Sequence, residues 1–276
     1  HLEAMPLGPP WLERRLARSG VPLVYDIDDL IHLPHSSRAN PFMRWLRPGG
    51  KVPEIIGMAR VVVVCTEHMA DFVRRWNPDF QNISSTIDTD AYVPRELRSH
   101  TRGVVVGWSG SHSTAPYLHL LDDVLRELQA SDGIRVKVIG DRSFTIPGMA
   151  VEALDWSLER ETAELREIDI GVYPLPEAEW VLGKSGLKAL QYMGLGIPTV
   201  AQRIGSNPTI IGDGENGLLA STSEEWLEAL RSLVRDPELR RRLGRAGRQT
   251  VEERYSVKAN TPKYLAVLSE ALRART

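Results

Sequence analysis

The chain of 276 residues has a single cysteine, few aromatic residues at 7%, and no surplus of either charge. One cysteine, Cys65, excludes an intrachain disulfide and a cysteine-based zinc site, and fits a reducing compartment. With 34 Lys+Arg against 36 Asp+Glu, the net charge of −2 excludes the markedly basic profile of a dedicated nucleic-acid binder. No apolar run approaches the ~18 residues of a membrane-spanning helix; the longest, 61–65, is of strand length. The opening residues, His1 to Pro6, lack the basic and hydrophobic regions of a secretory signal. His32, His35, His68, His112 and His119 show neither HxxxH nor HExxH spacing, so no metal site is expected.

What is present is ordinary globular composition, 42% hydrophobic and 25% charged. Short β-branched runs alternate with longer amphipathic stretches, which predicts an α/β fold with parallel strands buried on both faces. Strands are expected over 22–25, 60–65, 82–85, 103–108, 135–139, 151–154, 168–172 and 198–201. Apolar spacing of three and four predicts helices over 11–18, 41–46, 51–58, 67–75, 115–130, 159–166, 187–193, 223–234, 237–253 and 259–275. The polar stretch 95–102 reads as a linker, giving domains at 1–100 and 101–258 and a final helix at 259–276.

Four places carry residues suited to chemistry. The small-residue loop Gly107-Trp108-Ser109-Gly110-Ser111-His112-Ser113 joins a strand to a helix, where backbone N–H groups gather beside a positive dipole end. It is neither a GxGxxG nor a Walker loop, and a plain polar turn reads equally well from spacing alone. In Gly183-Lys184-Ser185-Gly186-Leu187-Lys188, two lysines flank a helix start, where cations conflict with the dipole unless an anion offsets them. The acids Asp26, Asp28 and Asp29 fall at the end of a strand, the edge at which parallel sheets bind ligands; solvated helix-cap acids are the bland alternative. Glu177 and Glu179 lie in a loop after strand 168–172, and Trp156 at another strand end. The Asp26-Ile27-Asp28 and Asp88-Thr89-Asp90 tripeptides are too common to imply a metal. Arg38, Arg44, Arg47 and Lys51, interleaved with Phe42, Trp45 and Leu46, form a basic amphipathic patch; a solvated face is its commoner meaning, an anionic membrane surface the other.

Residues 183–201, with 204–220 behind them, resemble the donor half of family 4 (group 1) glycosyltransferases. So does 230–255, which includes Asp236-Pro237-Glu238-Leu239-Arg240 and Glu252-Glu253-Arg254-Tyr255. Segments 21–31 and 83–94 resemble the end of that family's acceptor domain. The resemblance implies the GT-B arrangement: two Rossmann-like domains facing a cleft, here with an incomplete N-terminal one and a complete C-terminal one. It implies transfer of a sugar from a nucleotide-diphosphate donor to an acceptor hydroxyl, with retention and without a metal or other cofactor. The acceptor would be a glycan, a lipid-linked molecule or a small molecule, and no nucleic acid is expected. Localisation would be cytoplasmic, with peripheral contact at the inner face of the membrane as the further expectation.

Carried over by position, the family's E-x7-E element falls on Gly183 and Gln191, and both glutamates are missing. Gln191 keeps an amide oxygen for a ribose hydroxyl, while Gly183 has only backbone to offer. In the pyrophosphate loop, Trp108 and Ser113 stand where the family has cations, which makes Lys184 and Lys188 the compensating charges. The resemblance thus assigns donor binding to Ser109, Gly110, Ser111, His112, Trp156, Lys184, Ser185, Gly186, Leu187, Lys188 and Gln191. Asp28 and Asp29 become the catalytic candidates, Asp28 standing where many members have a histidine, and Glu177 and Glu179 the sugar or acceptor contacts. Loss of both glutamates also motivates a second reading, a non-catalytic sugar-nucleotide-binding or assembly module. A third is another GT-B enzyme, an epimerase or a phosphorylase. At ~30 or more residues per βαβ unit, roughly 60–90 residues of the first domain are missing. An oligomer covering the resulting sheet edge, or a truncated chain, is therefore expected.

Overall fold

The computed structural model describes residues 8–30, 50–94 and 103–273. The expected helix over 41–46, the basic patch with Arg38, Arg44 and Arg47, the linker 95–102, and His32 and His35 lie outside the described residues. By contacts the chain divides into two units: 1–85 with 178–185 and 260–276, and 86–177 with 186–259.

The first unit holds a parallel sheet of order β1-β2-β3, formed by β1 Val24–Ile27, β2 Val61–Val64 and β3 Phe80–Asn82. Four consecutive valines make β2, and all are buried because the strand is covered on both faces. One face packs on Ile55 and Ile56 of α2 (Lys51–Met58) and on Met69, Ala70 and Val73 of α3 (Glu67–Val73). The other packs on Val267 and Ala271 of the long C-terminal helix. Thr66 starts α3 by accepting the Met69 N–H, an N-cap its β-region backbone permits. Helix α1 (Trp11–Arg18) docks on α2 through a buried Lys51–Glu13 ion pair of 3.1 Å.

The second unit is a six-stranded parallel sheet of order β6-β5-β4-β7-β8-β9. Its strands are β4 Val105–Ser109, β5 Arg135–Ile139, β6 Val151–Leu154, β7 Ile170–Tyr173, β8 Thr199–Gln202 and β9 Leu218–Ala220. Chain order runs outward from β4 in both directions, so the topology reverses between β4 and β7, the ligand-binding crevice of doubly wound sheets. One face is filled by Leu125 and Leu128 of α4 (Asp122–Asp132), Leu230 and Leu233 of α8 (Ser223–Arg235) and Leu243 of α9 (Pro237–Thr250). The other carries Leu165 of α5 (Glu161–Leu165) and Tyr192 of α6 (Leu187–Gly194). Helix α7 (Asn207–Ile210) completes this unit; the long C-terminal helix that packs on the first sheet is α10 (Val257–Arg273).

Several elements depart from the pattern read in the sequence. The helix expected over 115–130 opens as a 3₁₀ stretch, Ala115–Leu121, before α4. Its buried residues, Ala115, Leu118 and Leu121, recur every three positions, the period of a 3₁₀ helix. The one expected over 237–253 ends at Thr250 and passes into a π turn, Val251–Tyr255. The strand expected over 22–25 is shifted to Val24–Ile27, which brings Asp26 inside it; that carboxylate accepts the Tyr264 hydroxyl. β3 comes earlier than 82–85, and β9 and α7 are too short for a periodicity to declare them.

Candidate functional site

In the second unit, two glycines prepare the reversal point. Gly107 of β4 pairs in register with Gly171 of β7. A Cβ on Gly171 would lie 2.5 Å from the Tyr192 ring, so its absence lets α6 press Tyr192 onto the sheet. The buried Tyr192 hydroxyl then accepts the Ser109 N–H at 2.7 Å, and burial raises its pKa. Ser109 is itself fully buried, with its Oγ lacking a partner among the described residues. Its side chain is therefore internal, and its N–H is engaged by Tyr192. Trp108 is also internal: a Cβ on Gly110 would sit 2.2 Å from its ring. The exposed part of the loop is Ser111 to Ser113, whose hydroxyls bond each other at 2.9 Å. His112 Nδ1 lies 2.9 Å from Asp141, a carboxylate held below its usual pKa chiefly by the Ser143 hydroxyl.

The start of α6 lies beside the same sheet edge. Gly186 precedes it with φ +74°, and no side chain caps the helix. Its first-turn N–H groups are thus left to other partners. Lys188, in that turn, donates to Gln191 Oε1 at 3.0 Å, and desolvation lowers its pKa. Gln191, only 6% exposed, spends both amide hydrogens inward, on Tyr92 Oη at 2.8 Å and Glu161 Oε1 at 3.1 Å. Because the ammonium can only face an oxygen, Lys188 fixes which way the Gln191 amide points. Glu161, at the start of α5, also accepts the Tyr92 hydroxyl at 2.9 Å and the Trp156 indole N–H at 3.0 Å. Trp156 leaves 48% of its surface exposed. Arg248 of α9 holds Tyr92 from behind, donating to the carbonyls of Thr89, Tyr92 and Gly194. Burial pushes the Tyr92 hydroxyl up to about 12, so it remains a donor.

In the first unit, Asp28 is exposed just beyond β1. Asp29 receives Lys184 Nζ at 2.8 Å, and that ammonium also lies over the Trp180 ring at 5.7 Å. Burial raises the Asp26 pKa, opposed by the Tyr264 hydroxyl. Ser185 Oγ accepts from Ser85 Oγ at 2.7 Å. Gly183 is boxed in, because a Cβ there would stand 2.2 Å from Leu30 Cγ. That contact is a packing reason for the missing first glutamate: no side chain fits while Leu30 is in place.

Lys184 and Lys188, read together in the sequence, thus belong to different units and have different partners. Lys188, Gln191 and Trp156 are brought into one network; Glu177 and Glu179 are exposed and join none that is described. Leu187 is exposed at the helix start. Glu161 and Tyr92 were not singled out in the sequence. The one available signal was an acid five residues beyond Trp156 at the head of a predicted helix. Among the described residues no group of three His, Cys, Asp or Glu is placed to hold a metal ion, and no helix is long and apolar enough to cross a membrane.

Comparison with known proteins fits this geometry. Residues 103–236 match the family described as glycosyl transferases group 1. Over that stretch the chain is similar to a group 1 glycosyltransferase domain. A D-inositol 3-phosphate glycosyltransferase of Corynebacterium efficiens is 28% identical over 271 residues, which span 85% of this chain and 62% of that protein. One from Segniliparus rotundus is 24% identical, over 93% of this chain and again 62% of its own length. The chain therefore spans about three fifths of these relatives. Among solved structures, sucrose-phosphate synthase from Thermosynechococcus elongatus superposes with a TM-score of 0.71 at 16% identity, covering 96% of this chain and 71% of that one. HepE from Anabaena, solved with UDP and glucose, gives 0.68 at 18% identity, over 90% and 71%. These likenesses show the fold: GT-B, with Rossmann-like parallel sheets.

Proposed function

We propose that this chain binds a nucleoside diphosphate sugar through its second unit and transfers the sugar to an acceptor hydroxyl, with retention and without a metal ion. The observation that carries the reading is Lys188: an ammonium in the first turn of an uncapped helix, hydrogen-bonded to a neutral amide oxygen, whose desolvation outweighs its attraction to the Glu161 carboxylate. Such a cation gains most when an anion arrives, and the leaving diphosphate is that anion. The HepE structure with bound UDP and glucose supports a uridine nucleotide as a first ligand to test. Ser111 and His112, with the Gly110 backbone, extend the diphosphate contacts, and Trp156 offers a face to the base. In the first unit, Asp28 is the exposed carboxylate that could take the acceptor proton or face the anomeric carbon. Asp29, tied to Lys184, has less freedom to do so.

The relatives' names make D-inositol 3-phosphate the first acceptor to try. Calorimetry of the purified chain with UDP, GDP and ADP, followed by transfer from the corresponding glucose donors in EDTA, tests the proposal; product anomer is read by NMR. Tight nucleotide binding with metal-independent transfer and a retained anomer is expected. Absence of binding to every nucleotide refutes donor binding. Binding without hydrolysis or transfer refutes the enzymatic part and leaves a binding module.

A further inference from the structure

A cavity outside the candidate site lies within the second unit, at the other end of the sheet. Its lining includes Ile168 and Asp169, just before β7, and Ile197 and Pro198, just before β8. It therefore sits at the amino ends of the parallel strands, whereas Lys188 stands beside their carboxyl ends. Helix α6 spans the distance: Lys188 is in its first turn, and Leu195 and Gly196, just past its last residue, line the cavity. At about 1.5 Å per residue that helix is roughly 12 Å long. The cavity volume, about 450 Å³, falls in the ~300–1,000 Å³ range of small-molecule sites. A glycine sets how close its walls come. A Cβ on Gly244 would meet the Gly196 carbonyl oxygen at 2.2 Å, so α9 lies directly against the turn that follows α6.

Two kinds of side chain meet there. Leu195, Ile197 and Pro198 supply an apolar lining. Helix α9 supplies Arg241, Arg245 and Arg248, spaced four and three residues apart and so on one helical face. The carboxylates of the lining have partners already. Asp169 is buried and accepts the Val105 N–H at 2.8 Å, and Glu252 accepts Arg248 Nε at 2.7 Å. Arg248 gives its other nitrogens to the carbonyls of Thr89, Tyr92 and Gly194. Arg241 pairs with Glu238. Arg245 lines the cavity with no hydrogen bond or ion pair among the described residues.

We propose that this cavity binds an amphipathic carboxylate, its head held by Arg245 with Arg241 and its apolar body laid against Leu195, Ile197 and Pro198. The charge balance selects a monoanion over a doubly charged phosphate. Arg248 is matched by Glu252 and Arg241 by Glu238, which leaves the charge of Arg245 uncompensated. The guanidinium fork suits a carboxylate, which it can take through two parallel N–H···O bonds. An anion without an apolar body leaves the lining of Leu195, Ile197 and Pro198 unused, and an apolar body without a charge leaves Arg245 unmatched. The inference is independent of the donor-binding reading, because the two sites share no residue and lie at opposite ends of the sheet.

The test is calorimetry on the full chain with octanoate below its micelle concentration. Octanol, which keeps the body, and acetate, which keeps the head, are the controls. Octanoate should bind to a single site, about 10- to 100-fold tighter than octanol, the worth of a hydrogen bond to a charged group. Acetate should give no measurable binding, because the apolar burial is gone. Arg245→Gln should bring octanoate down to the level of octanol, leave octanol unchanged and leave the melting temperature where it was. Gln249→Trp, which fills the cavity from α9, should weaken octanoate and octanol alike. UDP should not displace octanoate. Equal affinity for octanoate and octanol, unchanged octanoate affinity in Arg245→Gln, displacement by UDP, or no octanoate binding at all overturns the inference. None of these results bears on whether UDP itself binds, which is read in a separate titration.

Discussion

Lys137 and Lys188 are two desolvated lysines of the same Rossmann-like unit with opposite settings. Lys137, 1% exposed on β5, donates to Glu164 and Glu167 at 2.6 Å each and lies 3.3 Å from Glu152. Burial alone would lower its pKa, yet those carboxylates raise it. Lys188 has one neutral amide oxygen as its hydrogen-bond partner and the Glu161 charge nearby; desolvation outweighs that attraction, and its pKa falls. The first lysine has its counter-charges built in and serves structure: it fastens α5, a helix too short to hold itself, to the sheet. The second keeps a net lowered pKa despite Glu161, beside the edge at which parallel sheets bind ligands, and this supports the proposal that it meets an anion.

Removing each cation breaks the comparison most directly. Lys137→Met should leave three carboxylates crowded at the sheet and cost about 3 kcal/mol, read from urea unfolding. Lys188→Met should do the reverse. UDP affinity should fall about 10- to 100-fold by calorimetry while stability holds or rises, because the desolvation of Lys188 outweighs its attraction to Glu161. If Lys188→Met instead destabilises the fold as Lys137→Met does, the two lysines play one role.

A pH series sharpens the contrast. Lys188 must be protonated to attract a diphosphate, so UDP affinity should drop by about tenfold as pH rises through its lowered pKa, below the ~10.4 of a free lysine. Without nucleotide the sign for stability is opposite. Over that window the unfolded chain holds a proton the folded one has released, so folding gains as pH rises. Lys188→Met should abolish both slopes. The smallest effect is expected at Lys184, whose pairing with Asp29 is partly exposed. Lys184→Ala should change stability by less than about 1 kcal/mol and UDP affinity by less than about threefold.

The sheet was largely legible in the sequence because buried parallel strands are written as unbroken β-branched runs. Residues 61–64, four valines, are the clearest example, and β5 and β6 fall at the expected bounds. The start of α6 was legible through the conflict of lysines with a helix dipole. What stayed hidden depends on side chains converging from distant places in the chain. Glu161, Tyr92 and Gln191 lie on three separate segments, and no spacing rule announces a carboxylate held by a tyrosine and an indole. Trp108 looked like a loop residue because nothing in its neighbours shows that it folds beneath Gly110. The empty place at Gly183 was visible as a missing glutamate, but its cause, Leu30, is 153 positions away.

The single cysteine has a practical consequence. Cys65 sits at the end of β2, its thiol bonded to the Asp28 carbonyl and buried, with a pKa pushed up to about 12. In that setting it scarcely forms thiolate, so a disulfide reagent reacts only when the surrounding strands part. No other thiol competes for the reagent. The rate of colour release from an aromatic disulfide thus clocks local opening around β1 and β2, in native buffer and without an added label.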